Sequence, residues 1–325
     1  MKSKVLVTVC AVLCLASLIL LMACQRRSTT GAGGAWEPTR RVEWNLTVNP
    51  GGGNDIFTRN IIEIMRTNGI SNADFVVNYQ TDGQGEVARM RVARAGADAH
   101  TLLGFTSGEL GQMLHAGNTT MDNFTPLAIL AADKHILLVH PNSRYQSIED
   151  ILQGVREGRN ISLGGAKGED EVILFEMMCD VLGIPRDAIP FIGYISNADA
   201  ITATLGGHID LLYSKLLASE AFMISGDLVP IVIFSLNSIN VPPFDTVPTL
   251  GELGWTSIEN PIWRSILGSP DMPQEAVDYY IRIFREMSET PEWAAYHASN
   301  HSIPMSYFGE EARRYILDFQ RTMGF

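Results

Sequence analysis

The sequence predicts an α/β fold with two α/β lobes around a cleft, and three observations carry that prediction. Short apolar runs alternate with amphipathic helical stretches along most of the chain. Two glycine-rich turns, Pro50-Gly51-Gly52-Gly53 and Gly164-Gly165-Ala166-Lys167-Gly168, each follow a strand pattern and precede a helical one. About 300 residues remain once a leader is set aside, more than one ordinary core accommodates.

The leader comes first. Lys2 and Lys4 precede an apolar run from Val5 to Leu20, and Leu21-Met22-Ala23-Cys24 is similar to a bacterial lipobox, in which the cysteine receives lipid. The competing reading is a signal-anchor helix, since the run is about long enough to span a bilayer. A cysteine directly behind a small residue favours the lipoprotein. Gln25 to Ala35 is polar and rich in Gly, Ser and Thr, as a flexible tether is. Residues 1–24 are thus read as signal peptide and 25–40 as tether.

Composition excludes several classes. With Lys2 and Lys4 removed, the mature chain carries 22 basic against 36 acidic residues, so nucleic acid is excluded as a partner. An anionic ligand must then be held by local N–H groups against the overall field. Cys10 and Cys14 lie in the leader, so Cys179 is the one thiol left beyond Cys24 and forms no internal disulfide. It reads as a small buried apolar residue on a helix.

Val42, Trp44, Leu46 and Val48 alternate with polar residues, a half-buried strand. Phe57, Ile61, Ile64 and Met65 then recur at helical spacing. The glycines between them let the backbone approach a ligand, and the helix N–H groups point at it with the positive end of the dipole behind them. Asn54 or Asp55 is the expected N-cap. The plainer reading is a tight, capped connection. No Gly-Lys-Ser/Thr follows, so a nucleotide P-loop is excluded, and the dinucleotide fingerprint is not matched.

Further strands are expected at Phe75–Asn78, Thr101–Phe105, Leu127–Leu130, Ile136–His140, Asn160–Leu163, Ile189–Ile192, Ile209–Tyr213 and Val229–Phe234, with helices such as Glu86–Ala95, Ile148–Arg156 and Glu169–Leu182 between them. This order argues for largely parallel sheets. Late in the chain the pattern turns helical, with faces at Val277, Tyr280, Ile281 and Phe284 and at Ala312, Tyr315, Ile316 and Phe319. Open α/β sheets bind ligands beyond the carboxyl ends of their strands, so two glycine turns from two lobes are expected to face one another across a cleft.

Catalytic readings find little support. No Gly-x-Ser-x-Gly elbow occurs and nothing local links Ser107 to a histidine. His297 and His301 have i,i+4 spacing without an accompanying carboxylate or cysteine ligand pattern, so metal is not expected. His135 and His140 bracket an apolar strand, and Met177 and Met178 read as core filling.

In order along the mature chain, Pro50-Gly51-Gly52-Gly53-Asn54-Asp55 with Arg59, Thr101-Leu102-Leu103 after Asp98, Ile189-Pro190-Phe191-Ile192-Gly193, Leu205-Gly206-Gly207-His208-Ile209-Asp210 and Val247-Pro248-Thr249-Leu250-Gly251-Glu252-Leu253-Gly254 resemble the phrases of one family. These are the periplasmic substrate-binding proteins of tripartite tricarboxylate transporters, the Bug family. The resemblance runs from about Val42 to the C-terminus. It implies a type II periplasmic-binding-protein fold, with residues 41–133 and 236–325 in the first lobe and 134–235 in the second.

The function implied is non-catalytic: an extracytoplasmic, lipid-anchored monomer that binds a small carboxylate without a cofactor and delivers it to membrane transporter subunits. A carboxylate sensor feeding a membrane signalling partner is the alternative, since it would use the same binding chemistry. In the family, backbone groups and ordered water in the two turns hold the carboxylate. The candidate ligand-binding residues are Pro50, Gly51, Gly52, Gly53, Asn54, Asp55, Thr106, Ser107, Gly165, Ala166, Lys167, Gly168, Glu169, Gly193, Tyr194 and Asp210, with Cys24 the lipidation site.

The chain departs from the family in its second turn, where Glu169, Asp170 and Glu171 follow Gly168. Either these acids are ordinary helix-start residues, or this lobe receives an amine or hydroxyl and the solute is an amino or hydroxy acid. Lys167 would then contact a distal carboxylate. Asn78-Tyr79-Gln80-Thr81-Asp82-Gly83-Gln84-Gly85 and Ile192 also depart from the family phrases. Tyr194 is read equally as a pocket wall or a half-exposed loop aromatic.

Overall fold

The computed structural model describes residues 36–51, 53–166, 169–194, 196–239, 242–256 and 262–323, with the side chains of Glu169, Asp170, Glu171 and Ile173 outside the description. The expected signal peptide, Cys24 and most of the tether fall outside it too.

Two mixed sheets organise the described chain. The first contains β1 (Val42–Leu46), β2 (Phe75–Tyr79), β3 (Thr101–Thr106), β4 (Thr125–Asp133), β10 (Ile262–Gly268) and β11 (Ile303–Phe308), in the order β11-β4-β10-β3-β1-β2. The second contains β5 (His135–Val139), β6 (Leu163–Ala166), β7 (Phe191–Tyr194), β8 (Leu211–Lys215) and β9 (Val229–Phe234), in the order β7-β6-β8-β5-β9. Lys134 alone separates β4 from β5, so the chain passes from one sheet to the other in a single residue.

Helices α1 (Gly53–Thr67), α2 (Glu86–Ala93) and α3 (Ser107–Ala116) alternate with the strands of the first sheet. Helices α4 (Ile148–Arg156), α5 (Glu169–Leu182), α6 (Asn197–Leu205) and α7 (Leu216–Ser225) do the same in the second. Near the C-terminus, α8 (Gln274–Ser288), α9 (Pro291–Asn300) and α10 (Glu310–Thr322) return to the first sheet, with contacts to β4, β11 and α1. Of these ten helices, α7 begins directly at the end of β8, a strand-to-helix junction like that of β3 and α3.

Each sheet has its own apolar core. Beneath the first, Trp263 meets Phe105, Tyr315 and Phe319, while Trp44 meets Phe75 and Phe284. Around the second, Leu137, Val139, Leu163, Met178, Cys179 and Tyr213 form one cluster and Ile136, Leu138, Ile201, Leu212 and Ile233 another. Met178 and Cys179 are fully buried, as apolar helix residues are expected to be. His135 opens β5 and His140 follows its end.

Three expectations need correction. The sheets are mixed rather than largely parallel: β1, β2 and β3 run parallel, as do β6, β7 and β8, but β10, β11, β5 and β9 pair antiparallel. The late chain is not purely helical, because β10 and β11 interrupt it. All seven residues of β10 are buried, so it shows no alternation, and Arg264 and Ser265 break its apolar run. Just beyond the expected lobe boundary at residue 235 the chain still packs on the second sheet. Phe244 and Val247 pack with Ile136 and Ile233, Leu250 packs with Val232, and Thr249 bridges Ile233, so this stretch belongs with the second sheet. The strand expected at Asn160–Leu163 lies three residues later, at Leu163–Ala166.

Candidate functional site

At the end of β1 the chain turns through Pro50 and Gly51, both exposed, with Gly51 at φ +83°, where a glycine is favoured. Asp55 in the first turn of α1 ties this turn down. Its Oδ2 accepts from Gly51 N at 2.8 Å, and its Oδ1 accepts from Arg59 Nε at 2.8 Å and the Tyr79 hydroxyl at 2.7 Å. Burial opposes ionisation, but these donors and the Arg59 charge outweigh it and hold the carboxyl below its ordinary range. Asn54 is buried and its amide lies beside Gly104, at the back of the turn. Both residues therefore build the turn, and it is Gly53 that faces outward into a cavity.

That cavity, of about 260 Å³, lies between the two sheets. Its first-sheet wall comes from Gly53 and Ile56 of α1, Arg264 of β10, and Tyr296, Asn300 and His301 at the end of α9. The second sheet contributes Asn197 of α6 and Lys215 to Ala218 at the β8–α7 junction, while Asp133 and Lys134 line it where the chain crosses. Three helices, α1, α6 and α7, thus present their first residues to one space. The first N–H groups of a helix lack intrahelical partners and carry the positive end of its dipole. Some of this capacity is used: Leu216 N donates to the Lys134 carbonyl at 3.3 Å, and the Ser196 side chain caps α6 by accepting from Asp199 N. On α7, no side-chain cap covers Leu217 and Ala218.

Charged side chains reinforce the helix ends. Asp133 Oδ2 accepts from Arg264 Nη2 at 2.5 Å and pairs with Lys215 Nζ at 3.1 Å, which joins β10 of the first sheet to β8 of the second. Burial works against ionisation of Asp133, but the two cations overcome it and hold the carboxyl well below the usual carboxylate range. Asp133 is therefore an anion at every physiological pH. The Arg264 side chain is 6% exposed, and it fits because Gly53 has no side chain: a Cβ there would lie 2.6 Å from Nη2. Burial pushes the Tyr296 hydroxyl up to about 12, so it is a neutral donor in the wall. Behind it, burial pulls His297 down to about 4, and its Nδ1 lies 2.7 Å from Ser302 Oγ.

A second pair of contacts spans the two sheets. His301 caps the end of α9 at φ +49°, its Nε2 lies 3.0 Å from Glu220 Oε1 of α7, and its ring meets Phe244 edge-on at 4.8 Å. His297 and His301 thus serve different partners, and no group of three metal-ligating side chains exists among the described residues.

Of the residues expected to bind ligand, Gly53 lines the cavity, and Pro50, Gly51, Asn54 and Asp55 shape the turn that places it. Thr106 and Ser107 begin α3 away from the cavity wall, where Thr106 Oγ1 and Thr47 Oγ1 face Glu109 Oε1 at 3.5 and 2.6 Å. Gly165 is packed against Tyr213 and Phe191, and Ala166 continues the same strand. Gly193 is exposed and Tyr194 packs into the Ile136 cluster, so neither is a wall residue. Asp210 is structural, since Oδ2 accepts from both Ser162 N and Ser162 Oγ at 2.9 Å. Gly52, Lys167 and Gly168, and the Glu169 side chain, lie outside the description. Among the described residues, the second sheet meets the cavity through α6 and the β8–α7 junction.

Sequence reasoning missed Asp133, Lys134, Lys215 and Arg264. The first three sit at strand ends, a position where open α/β sheets gather ligand groups. Arg264 had a usable signal, a lone cation inside the apolar run Ile262 to Gly268.

Residues 67–323 match the family profile described as the tripartite tricarboxylate transporter family receptor. The chain belongs to this family. This receptor is 21% identical over 247 residues to the UPF0065 protein of the tcbD-tcbE intergenic region of a Pseudomonas species, covering 74% of this chain and 71% of that one. Its fold is shared with the periplasmic binding protein BugD, at a TM-score of 0.68 and 20% identity over 88% of this chain and 95% of the other. It is shared as well with two Rhodopseudomonas palustris proteins. MatC, solved with bound malate, gives a TM-score of 0.67 at 17% identity over 88% of this chain and 100% of MatC. A protein solved with adipate gives 0.72 at 19% identity over 88% and 98%. The receptor accordingly has the periplasmic-binding-protein fold, and its family is one of solute receptors rather than enzymes.

Proposed function

We propose that this receptor captures a small carboxylate in the cavity between its two sheets and hands it, outside the cytoplasm, to the membrane subunits of a tripartite tricarboxylate transporter. The observation that carries this reading is the convergence of three helix N-termini with Arg264, Lys215 and Lys134 on one small cavity in a chain of net charge −12. The overall field repels anions, so a local concentration of positive groups is a recognition device rather than a by-product of composition. The malate and adipate held by two proteins of the same fold agree with an acid of this size. The cavity is below the roughly 300–1,000 Å³ of sites for drug-sized ligands, which suits such a solute.

This reading differs in emphasis from recognition by backbone and water alone, since side-chain cations, Arg264 and Lys215 among them, share the wall with the α1 turn. Solute is released to the transporter when the two sheets part, as in hinge closure around ligands. The Leu21–Cys24 lipobox tethers the receptor to a bacterial membrane, on the outer side of the cytoplasmic membrane or beyond it.

Calorimetric titration of the mature protein with small carboxylates tests the function. Arg264→Met and Lys215→Met are each expected to weaken the best-bound acid at least about tenfold, the effect of losing one charge-assisted hydrogen bond. The bound acid should be recovered unchanged. Absence of binding across mono-, di- and tricarboxylates, or full affinity in both variants, contradicts the proposal.

A further inference from the structure

A surface cavity of about 410 Å³ lies beside α4 and shares no residue with the cavity between the sheets. It sits at the other end of β5: Lys134 of the first cavity directly precedes this strand, whereas Arg144 and Tyr145 of the surface cavity follow it. Asp210, whose charge bears on Tyr145, precedes Leu211, and Leu211 is the partner of Val139 at that far end. Five residues at roughly 3.4 Å each put about 17 Å between the two ends. The two spaces are therefore separate.

Tyr145 is built into this wall. It is 3% exposed and packs in the core with Ile148, Ile151 and Ile161. Its ring passes α4 at Gly154, where a Cβ would lie 2.9 Å from Cε1 and 2.8 Å from Ile161 Cδ1. Glycine is a poor helix former, so its place inside α4 answers to that close approach. Buried hydroxyls are ordinarily hydrogen-bonded, yet this phenol has no partner among the described residues. Burial and the Asp210 charge hold its pKa above the ordinary value, so it remains a neutral donor.

The charges around it are unequally engaged. Asp150 Oδ2 accepts from Gln146 N at 3.0 Å and Ser147 Oγ at 2.9 Å, and this carboxylate lies at the positive end of α4. Both oxygens of Glu157 are used, Oε2 by Arg159 Nε at 2.6 Å and Oε1 by Gln153 Nε2 at 2.8 Å. Arg144 is exposed and has no partner among the described residues. Its charge and that of Arg159 both bear on the Tyr145 phenol, so guanidinium and hydroxyl donors meet in one space. A doubly charged phosphate there would be repelled by Asp150, Glu157 and Asp210 twice as strongly as a singly charged carboxylate. A carboxylate has two oxygens to share between the two donors.

We propose that this cavity is a second anion site, which holds the carboxylate of a monovalent organic acid between the Arg144 guanidinium and the Tyr145 hydroxyl. It stands apart from the receptor reading, which concerns the cavity between the sheets.

The test is calorimetric titration of the mature Arg264→Met protein, in which the cavity between the sheets is weakened, with acetate, benzoate, gluconate and inorganic phosphate. At least one of the three carboxylates should bind, and more tightly than phosphate. Adding Arg144→Met should weaken that acid about tenfold or more, and adding Tyr145→Phe about threefold or more. Arg144 is exposed and Tyr145→Phe keeps the buried ring, so both variants should fold. Arg144→Met alone should leave the acid held between the sheets at wild-type affinity. Binding of none of the three carboxylates, tighter binding of phosphate, or an affinity unchanged by Arg144→Met overturns the inference. The receptor reading is judged separately, by whether the wild-type protein takes an acid that Arg264→Met weakens.

Discussion

Gly53→Ala is a one-methyl perturbation whose consequence can be worked from the geometry. The added Cβ would lie 2.6 Å from Arg264 Nη2, 3.3 Å from Cζ and 3.4 Å from Nη1. Ordinary contact needs roughly 3.5–4 Å, so the guanidinium or the start of α1 must yield by about 1 Å. Arg264 has little room to do so, and Nη2 holds Asp133 at 2.5 Å, so a retreat of that size takes the pair out of hydrogen-bond range. A guanidinium displaced by that much also loses its charge-assisted bond to the solute carboxylate, which costs about 1.5–3 kcal/mol of binding, or roughly 10- to 150-fold in Kd. Alanine is the better helix former by up to about 1 kcal/mol, which offsets part of any loss in stability. Affinity should therefore fall much more than Tm, read by titration calorimetry and thermal unfolding. In an Arg264→Ala background the methyl has space, and Gly53→Ala should then change affinity little further. Wild-type affinity in Gly53→Ala, or equal losses in both backgrounds, would refute the clash between α1 and Arg264.

Three other outcomes follow from the structure. Burial pushes Glu109 up to about 7 despite Thr47, Arg89 and Thr106, so between about pH 4.5 and 7 the folded protein holds a proton that the unfolded chain releases. Stability from this group is thus present below its unfolded pKa and lost as pH rises towards 7, on the order of 3 kcal/mol; Glu109→Gln should flatten the denaturation midpoint over pH 5–7.5, and an unchanged pH slope in that variant would show the assignment to be wrong. Removing the Glu220 to His301 contact with Glu220→Ala should speed solute release severalfold, since a partly buried pair holds α7 to α9, and a release rate identical to wild type in stopped-flow measurements counts against a role in closure. Cys24→Ser should release the expressed protein from the membrane fraction, whereas retention there would exclude lipidation at Cys24 as the anchor.

The two-lobed α/β architecture was legible because strand and helix periods alternate cleanly from Val42 to Phe234, and the α1 turn was legible because Pro50 to Asp55 combines glycines with a cap. Chain direction within the sheets was not, since periodicity says nothing of it, and β10 escaped because burial on both faces erases alternation. The site was only half readable. Gly53 announced itself, but Asp55 and Asp210, whose types suggest binding, spend their oxygens on Gly51, Arg59, Tyr79 and Ser162. The cluster of Asp133, Lys215 and Arg264 is assembled by three strands separated by up to 131 residues, and no local motif records such a meeting. The change of crossing at Lys134 places two of these charges in the cavity by topology alone.

The most direct measurement is a crystal structure of the mature receptor with its tightest-binding carboxylate. The account predicts the acid between the two sheets, with a carboxylate against the N-terminus of α1 at Gly53 and within hydrogen-bond reach of Arg264 or Lys215. An acid seated elsewhere, or in this cavity without contact to either cation, would contradict it.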